Sequence, residues 1–311
     1  MLRFSAVMTL LLAPFCLVPA GVSVVGASAS TATAQERPLP APEAFFRAVR
    51  ENMARAERIT HLFTYKERRT DIHTNPFGKL GTDGTSLFEV YPSPARRLTY
   101  RRLIERNGKP VPKTELSQQD DEYRARASRV MSEDALDSAD RQVVEKQSEG
   151  ARQRRQRAIE DVIDTLQFEI RNRTTYDGAT AILIAFSPRP TARPSTRQGR
   201  MAQKFSGTIW VDEAAAEVMR VEAKSMEAIT YGGIVARLGE GTTATLTRRP
   251  IADRVWMPTE LTLAGRGRAV LFRTLVVDYA IEWFDYRRLS QESLTPFLDA
   301  RIHSQPRGRP E

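Results

Sequence analysis

The sequence predicts an α+β fold that is mainly β: a single curved antiparallel sheet, or incomplete β-barrel, with a few helices covering its concave side. Three observations lead to this class. About ten segments alternate apolar and polar residues with the period of two that a half-buried strand requires. Most connections between them have hairpin length, which favours antiparallel neighbours. Two segments have the apolar spacing of a helix, and a sheet of about ten strands has to curl or close.

The first 34 residues have the pattern of a secretory signal. Apolar residues dominate from Phe4 to Val18, and Ala32-Thr33-Ala34 supplies the small-x-small pattern of a signal cleavage site. Pro14 interrupts the apolar block before it reaches the roughly 18 residues that a membrane-spanning helix needs. We therefore expect cleavage after Ala34, residues 1–34 as a signal peptide, a periplasmic or secreted mature protein, and no integral membrane span after the signal is removed.

Composition narrows the class of protein further. Removing 34 of 311 residues leaves a mature chain of 277 residues. The mature chain has no cysteine, because the single cysteine of the sequence, Cys16, lies in the signal. A chain of this length can bury an adequate core without disulfides. The mature chain keeps 46 of the 47 Lys and Arg and all 38 Asp and Glu, a net charge of +8. These cations are spread along the chain and no nucleic-acid-binding motif accompanies them, so we expect no nucleic-acid partner.

The mature chain opens with a linker and a helix. Residues 35–41 are rich in proline and polar residues, as is typical of a linker. Phe46, Val49 and Met53 then recur at the spacing of one helical face. This pattern predicts a helix over 42–58.

A three-stranded meander is predicted next. Alternation over 60–73 places Phe63 and Tyr65 on one face of a first strand. The segment "TSLFEVYPSP" is a second strand that stops at Pro92, and "RRLTYRRLIER" is a third that ends at Asn107-Gly108. We expect these strands to pair antiparallel.

Residues 109–158 differ from the rest of the chain. They are highly charged, acidic at 120–122 and basic through "ARQRRQRA". Such runs are typical of solvated helix faces or mobile insertions, and an interaction arm is the alternative. Ile159 and Val162 then begin an apolar helical face that predicts a second helix over 159–166.

The second half of the chain is predicted to be nearly all strand. Asp177-Gly178 indicates a tight hairpin, 188–201 is expected to be a loop, and 269–286 is a long closing strand. Residues 290–311 are expected to be a largely disordered tail. Residues 42–289 would then form one half-barrel domain with a charged helical insert at 109–158.

The sequence contains no recognised catalytic or metal-binding motif. His61, His73 and His303 are too few and too scattered for a zinc site, so no metal is expected. Phosphate-binding loops, nucleophile elbows and dinucleotide motifs are missing from the sequence, so we expect no cofactor and no catalytic residues. Glu222 and Asp278 could act as a carboxylate pair in a glycoside hydrolase, but the sequence does not give their separation.

Alternation predicts an apolar face on the concave side of the sheet. If the helices leave part of this face open, it forms a groove that could hold an acyl chain; otherwise it is packed core. The residues expected to line a ligand are Phe63, Tyr65, Leu275, Val277, Tyr279 and Ile281.

The order of several segments resembles a known group of proteins. "RRLTYRRLIERNGKPV", the charged insert, "GTIWVDEAAAEVMRVEA" and "VWMPTELTLAGRG" followed by "YAIEWFDYRRL" are similar to secreted bacterial proteins of acidobacterial type, placed near the LolA-like periplasmic lipoprotein carriers. The resemblance spans about Thr60 to Leu289 and contains no catalytic signature. It implies an incomplete antiparallel barrel with helices in its mouth and an apolar cavity, which in the carriers shields lipid chains.

Together these observations favour a non-catalytic periplasmic or secreted carrier of a lipid-like or other apolar ligand, possible partners being a lipoprotein or another envelope component. One alternative is an envelope scaffold that docks a partner through 109–158. The less favoured alternative is a carboxylate-dependent hydrolase.

Overall fold

A computed structural model describes residues 37–74, 84–92, 99–134, 150, 153–154, 156–231, 236–251, 255–269 and 273–289. Its helices are α1 (Pro42–Ile59), α2 (Lys113–Asp134), α3 (156–165) and α4 (Arg197–Ala202), with a short 3-10 turn at Thr60–Leu62. Its strands are β1 (Phe63–Thr74), β2 (Gly84–Tyr91), β3 (Tyr100–Arg106), β4 (Lys109–Pro110), β5 (Leu166–Tyr176), β6 (Ala179–Pro188), β7 (Phe205–Asp212), β8 (Glu217–Ser225), β9 (Ile229–Tyr231), β10 (Ala236–Leu238), β11 (Thr243–Pro250), β12 (Trp256–Ala269) and β13 (Arg273–Arg288).

The chain divides into two compact units. Of the described residues, those within 37–55 and 156–229 form unit 1, and those within 56–154 and 230–289 form unit 2. Each unit contains antiparallel strands that are joined by short turns.

Unit 1 contains a four-stranded antiparallel meander in the order β8-β7-β6-β5. Its β5–β6 hairpin turns at Asp177 and Gly178, whose φ angles are 50° and 78°. Both residues are therefore in the left-handed region that a two-residue hairpin turn needs and that Asp-Gly tolerates. The predicted hairpin is confirmed.

The core of unit 1 is formed by apolar helix and strand residues. The buried positions of α1 and α3 follow the helical spacing seen in the sequence, because a helix that packs on a sheet buries one stripe of side chains. Buried apolar residues of unit 1 include Phe46, Val49 and Met53 of α1, Ile159, Val162 and Ile163 of α3, and Ile182, Ile184, Phe205, Ile209 and Val211 of the strands.

Unit 2 contains strands in the order β4-β3-β2-β1-β13-β12-β11, with β10 also paired to β12. The long strand β1 pairs with β2 on one edge and with β13 on the other, so strands from the two ends of the described chain lie side by side. This arrangement brings together residues far apart in sequence.

The fold-class prediction is confirmed: the chain is mainly β, its described strands pair antiparallel in an open, curved sheet, and helices are few. The helices predicted at 42–58 and 159–166 are present as α1 and α3. Part of the insert at 109–158 is the largely exposed helix α2. The predicted signal peptide at 1–34 and the predicted tail at 290–311 lie outside the described residues.

The prediction of a loop over 188–201 is partly wrong, because the end of this segment forms the short helix α4. The side chain of Thr196 accepts a hydrogen bond from the Gly199 backbone N–H and caps this helix. Asp161 of α3 holds the preceding turn by accepting hydrogen bonds from the backbone N–H groups of Ser195 at 2.9 Å and Thr196 at 2.8 Å, and from the Thr196 hydroxyl at 2.6 Å. A contact between residues so distant in sequence has no local signal.

Asp161 gives a pH-dependent prediction. Burial acts to raise the pKa of its carboxyl, but the hydrogen bonds from Thr196 and Ser195 outweigh burial and hold that pKa below its usual value. We expect Asp161→Asn to lower the free energy of unfolding by about 1 kcal/mol at pH 7, since charge-assisted hydrogen bonds are weakened. Because the folded pKa is the lower one, this contribution is present above about pH 4 and is lost as pH falls through the folded pKa.

Urea denaturation at pH 7 and at pH 3 measures this difference. Asp164→Asn is the matched control, because Asp164 lies on the same helix and is exposed. An equal effect of the two substitutions at pH 7, or a difference that grows at pH 3, would contradict the assignment.

Gly207 of β7 is required by close strand packing in unit 1. A Cβ atom there would lie 1.9 Å from the backbone oxygen of Glu222 and 2.7 Å from the ring of Phe186. We expect Gly207→Ala to lower the free energy of unfolding by about 1–3 kcal/mol, the usual cost of overpacking. Thermal unfolding followed by circular dichroism checks this. Gly150→Ala is the comparison, since its Cβ would meet only the end of a flexible Arg154 side chain at 3.3 Å.

Candidate functional site

One face of the unit 2 sheet carries all six residues predicted to line a ligand. In β13, Leu275, Val277, Tyr279 and Ile281 are buried, and Phe63 of β1 is buried as well, whereas Tyr65 is partly exposed. The register places Ile281 opposite Arg69 and Tyr279 opposite Asp71, so these β13 residues point to the same side as the odd-numbered residues of β1. We call this surface, extended by Leu261 and Leu263 of β12, the apolar face.

A carboxylate lies in the middle of the apolar face. Glu67 of β1 is only 1% exposed. Its Oε2 accepts a hydrogen bond from Trp283 Nε1 at 3.0 Å, and its Oε1 accepts one from Arg69 Nε at 2.6 Å. Arg101 of β3 adds an ion pair, with its Nε 3.4 Å from Oε1. Burying a carboxylate is costly unless it is paired and hydrogen-bonded, and these three donors meet that requirement.

The side chains of Arg69 and Arg101 are partly exposed to solvent, whereas that of Glu67 is buried. The Arg69 side chain is 35% exposed and the Arg101 side chain 43%. Arg69 also places its guanidinium 5.3 Å from the centre of the Phe88 ring, a cation–π contact. Arg101 lies opposite Val90 of β2 and reaches past it to Glu67. The result is a buried anion whose cationic partners reach the surface.

Two tyrosines adjoin this cluster. Tyr65 and Tyr286 have ring centres 5.3 Å apart, and the Tyr286 hydroxyl donates to the Pro258 carbonyl at 2.6 Å. Burial, and then the negative charge of Glu67, raise the pKa of Tyr65 to about 12, although Arg101 and Arg69 act in the opposite direction. Burial also raises the pKa of Tyr286, with Tyr65 and Glu67 adding to the effect. Both phenols therefore stay protonated at neutral pH.

A bulge in β13 brings Trp283 and Tyr286 to the same face. Thr64 of β1 lies opposite Arg287 and Lys66 lies opposite Phe284, so β13 has one extra residue between these two pairs. Asp285 lies in this bulge and has a φ of 54°. The Asp285 carboxylate pairs with Lys66 at 3.0 Å and with Arg287, and these partners lower its pKa. Without the extra residue, alternation would direct Tyr286 to the opposite face from Trp283.

Helix α2 supports the strand that carries Arg101. Gln119 binds the edge of β3 through both ends of its amide: its Oε1 accepts from Leu103 N–H at 2.8 Å, and its Nε2 donates to Leu103 O at 3.2 Å. Asp120 accepts hydrogen bonds from Arg102 at 2.9 Å and from the Tyr100 hydroxyl at 2.6 Å. Tyr100 and Arg102 alternate with Arg101, so α2 holds β3 from the side opposite the apolar face.

Residues considered for metal or acid–base chemistry lie elsewhere. Within the described part of the chain no group of three or more His, Cys, Asp or Glu residues is arranged to hold a metal ion. Glu222, on β8 of unit 1, pairs with Arg220 at 2.7 Å. Asp278, on β13 of unit 2, is exposed and lies between Val277 and Tyr279, on the side away from the apolar face.

No helix among the described residues combines the length and apolar character needed to cross a membrane.

Comparisons with known proteins give weak structural similarities. No protein-family model matches the chain, and no curated protein matches it. A DUF1329 family protein from Desulfovibrio piger is 12% identical over 80% of this chain and 95% of that one, with a TM-score of 0.28. A putative outer membrane lipoprotein-sorting protein domain from Vibrio parahaemolyticus is 12% identical over 82% and 97%, with a TM-score of 0.29. The MucA/MucB complex of Pseudomonas aeruginosa contains a chain 8% identical over 78% and 99%, with a TM-score of 0.22.

All three TM-scores lie below 0.3, so these similarities carry no argument about family, ligand or function.

Sequence reasoning placed the apolar residues on one face but missed Glu67, Arg69 and Arg101. A signal for the first two was present, because Glu67 and Arg69 continue the alternation that begins with Phe63 and Tyr65. Alternation predicts apolar residues at these two positions. Charged residues there indicate either an error in the strand prediction or a polar cluster on the apolar face. Arg101 has no such signal, since it belongs to another strand.

The indole of Trp283 is predicted to be required for the burial of Glu67. We expect Trp283→Phe to lower the free energy of unfolding by about 1–3 kcal/mol, because it leaves a carboxylate oxygen buried without its donor. Urea denaturation measures the loss. Trp210→Phe is the control, since Trp210 belongs to unit 1, is half-buried and packs against Tyr176. Equal effects of the two substitutions would show that lost ring area, rather than the hydrogen bond, is responsible.

Proposed function

We propose that this protein is a non-catalytic, periplasmic or secreted binding protein that holds a lipid-like or other apolar ligand on the apolar face of unit 2. The observation that supports this function best is the composition of that face. It combines buried aliphatic and aromatic side chains with one convergent polar cluster, Glu67 with Arg69, Arg101 and Trp283. Ligand sites are typically apolar surfaces with a few placed polar groups.

The hydrogen bonds and ion pairs that the polar groups of this face form within the protein favour binding over catalysis. The Glu67 carboxylate receives two hydrogen bonds and an ion pair, so its oxygens are occupied within the protein. Tyr65, with a pKa of about 12, stays protonated at neutral pH and is poorly suited to act as a general base. The location outside the cytoplasm is supported by the signal-like pattern of residues 1–34.

Ligand uptake is the direct test. Native mass spectrometry of protein purified from its own host is expected to show a mass above that of the polypeptide, and the purified protein is expected to take up a fluorescent fatty acid. An apo mass together with no uptake of the probe would overturn the proposal.

Adjacent valines in β13 provide a matched pair of variants. Val277 lies on the apolar face, and Val276 lies half-exposed on the other side. We expect Val277→Asn to weaken binding of the fluorescent fatty acid about tenfold, since it replaces roughly 1.5 kcal/mol of apolar contact. Val276→Asn should leave binding within about twofold, because its side chain points away. Equal losses in two folded variants would contradict a ligand on this face; should Val277→Asn fail to fold, uptake by the unmodified protein decides.

A further inference from the structure

The apolar face carries two guanidinium groups and two carboxylates near Tyr279. Two guanidinium groups, those of Arg69 and Arg101, share the single carboxylate of Glu67. The next carboxylate on the same face, Asp71, lies two residues beyond Arg69 on β1, opposite Gly84 of β2 and Tyr279 of β13. Arg101 lies toward the other end of these strands, opposite Val90. Among the described residues, Arg101 is therefore at the end of the cluster away from the second carboxylate.

The geometry leaves donors for a further anion. A guanidinium has five N–H donors in one plane. Glu67 takes two nitrogens of Arg69, Nε and Nη2, each at 2.6 Å from Oε1, and only Nε of Arg101, at 3.4 Å. Arg101 also acts on Tyr65, where it lowers the pKa of the phenol against the larger effect of burial. Glu67 and Phe88 thus hold the arginines in place, while 35% and 43% of their side chains remain exposed.

From this arrangement we propose that Arg69 and Arg101 bind the anionic headgroup of a single-chain amphiphile whose alkyl chain lies on the apolar face. This inference rests on the proposed function and names the chemistry of its ligand: a carboxylate or phosphate joined to an acyl or alkyl chain. Arginine suits both groups because its planar donors match two oxygens of either anion.

The charge of the headgroup should discriminate between ligands of equal chain length. The arginines adjoin buried aromatic and aliphatic side chains, where an ion pair is stronger than in water, but their partial exposure weakens the effect. A charged headgroup should therefore gain about tenfold in affinity over a neutral hydroxyl on the same chain. Glu67 serves as a positioning residue in this site, because it orients the guanidiniums and does not itself face the ligand's anion.

The test compares dodecanoate, dodecyl phosphate and dodecanol, each below its critical micelle concentration, by displacement of a fluorescent fatty acid from the full mature chain. Unmodified protein is expected to bind at least one of the two anions about tenfold more tightly than dodecanol. Which of the two binds more tightly distinguishes a carboxylate from a phosphate ligand. Raising the salt concentration should reduce this preference, because part of the site is exposed to screening ions.

Arg101→Gln is the main variant, because Arg101 makes the longest contact with Glu67 and its loss disturbs the buried carboxylate least. It should abolish the preference for the anions and leave dodecanol affinity within about twofold. Arg68→Gln is the control: Arg68 lies in β1 next to Arg69 but on the other face, pairs with Glu282 at 2.6 Å, and should leave all three affinities unchanged. If Arg101→Gln does not fold, Arg69→Gln and the salt dependence of the unmodified protein supply the same readout.

The outcomes separate the two proposals. Equal affinity of the unmodified protein for dodecanol and both anions, or a uniform loss for all three in Arg101→Gln, would overturn the headgroup site and leave an apolar-ligand protein standing. No binding of any of the three amphiphiles, and none of the fluorescent probe, would overturn the proposed function and the headgroup site with it.

Discussion

The burial of the Glu67 carboxylate is the constraint on which the apolar face depends. A charge placed among aliphatic and aromatic side chains is tolerated only where donors surround it. Here they come from three strands: Trp283 on β13, Arg69 on β1 and Arg101 on β3. The bulge at Asp285 and the pairing of β1 between β2 and β13 both serve this arrangement, because either change in register would move a donor to the other face.

The edge strand β3 shows how the same unit solves a second physical problem. The two-residue strand β4 pairs only with Glu105 and Arg106, so the rest of β3 lies at the edge of the sheet, where unpaired backbone groups invite association with other chains. The side-chain amide of Gln119 pairs with both backbone groups of Leu103, and stacking of Tyr100 on Tyr123 at 4.3 Å adds apolar contact. The charged segment that contains α2 is thus in part a cover for the sheet edge, and it also stabilises the strand that presents Arg101.

A face that is apolar over most of its area and cationic at one point matches an amphiphile better than a plain hydrocarbon. Replacing a buried ion pair by well-packed apolar residues is often neutral or stabilising, so stability alone does not explain an ion cluster in this position. Binding a headgroup supplies one, since the cations then act on a ligand as well as on Glu67. The protonated phenols of Tyr65 and Tyr286 contribute neutral polar contacts beside the same cluster.

Local patterns in the sequence were sufficient for the fold class, for helices α1 and α3, for the Asp177-Gly178 hairpin, and for the shared face of Leu275, Val277, Tyr279 and Ile281. Each of these follows from residues within one turn or one strand, where helical spacing, alternation and turn chemistry act directly. The helix α4, the bulge at Asp285 and the convergence of Arg69, Arg101 and Trp283 on Glu67 were decided by the tertiary structure. They depend on contacts between distant segments, such as the hydrogen bond from Trp283 to Glu67, which lie 216 positions apart. Periodicity within a segment holds no information about which distant strand becomes its neighbour.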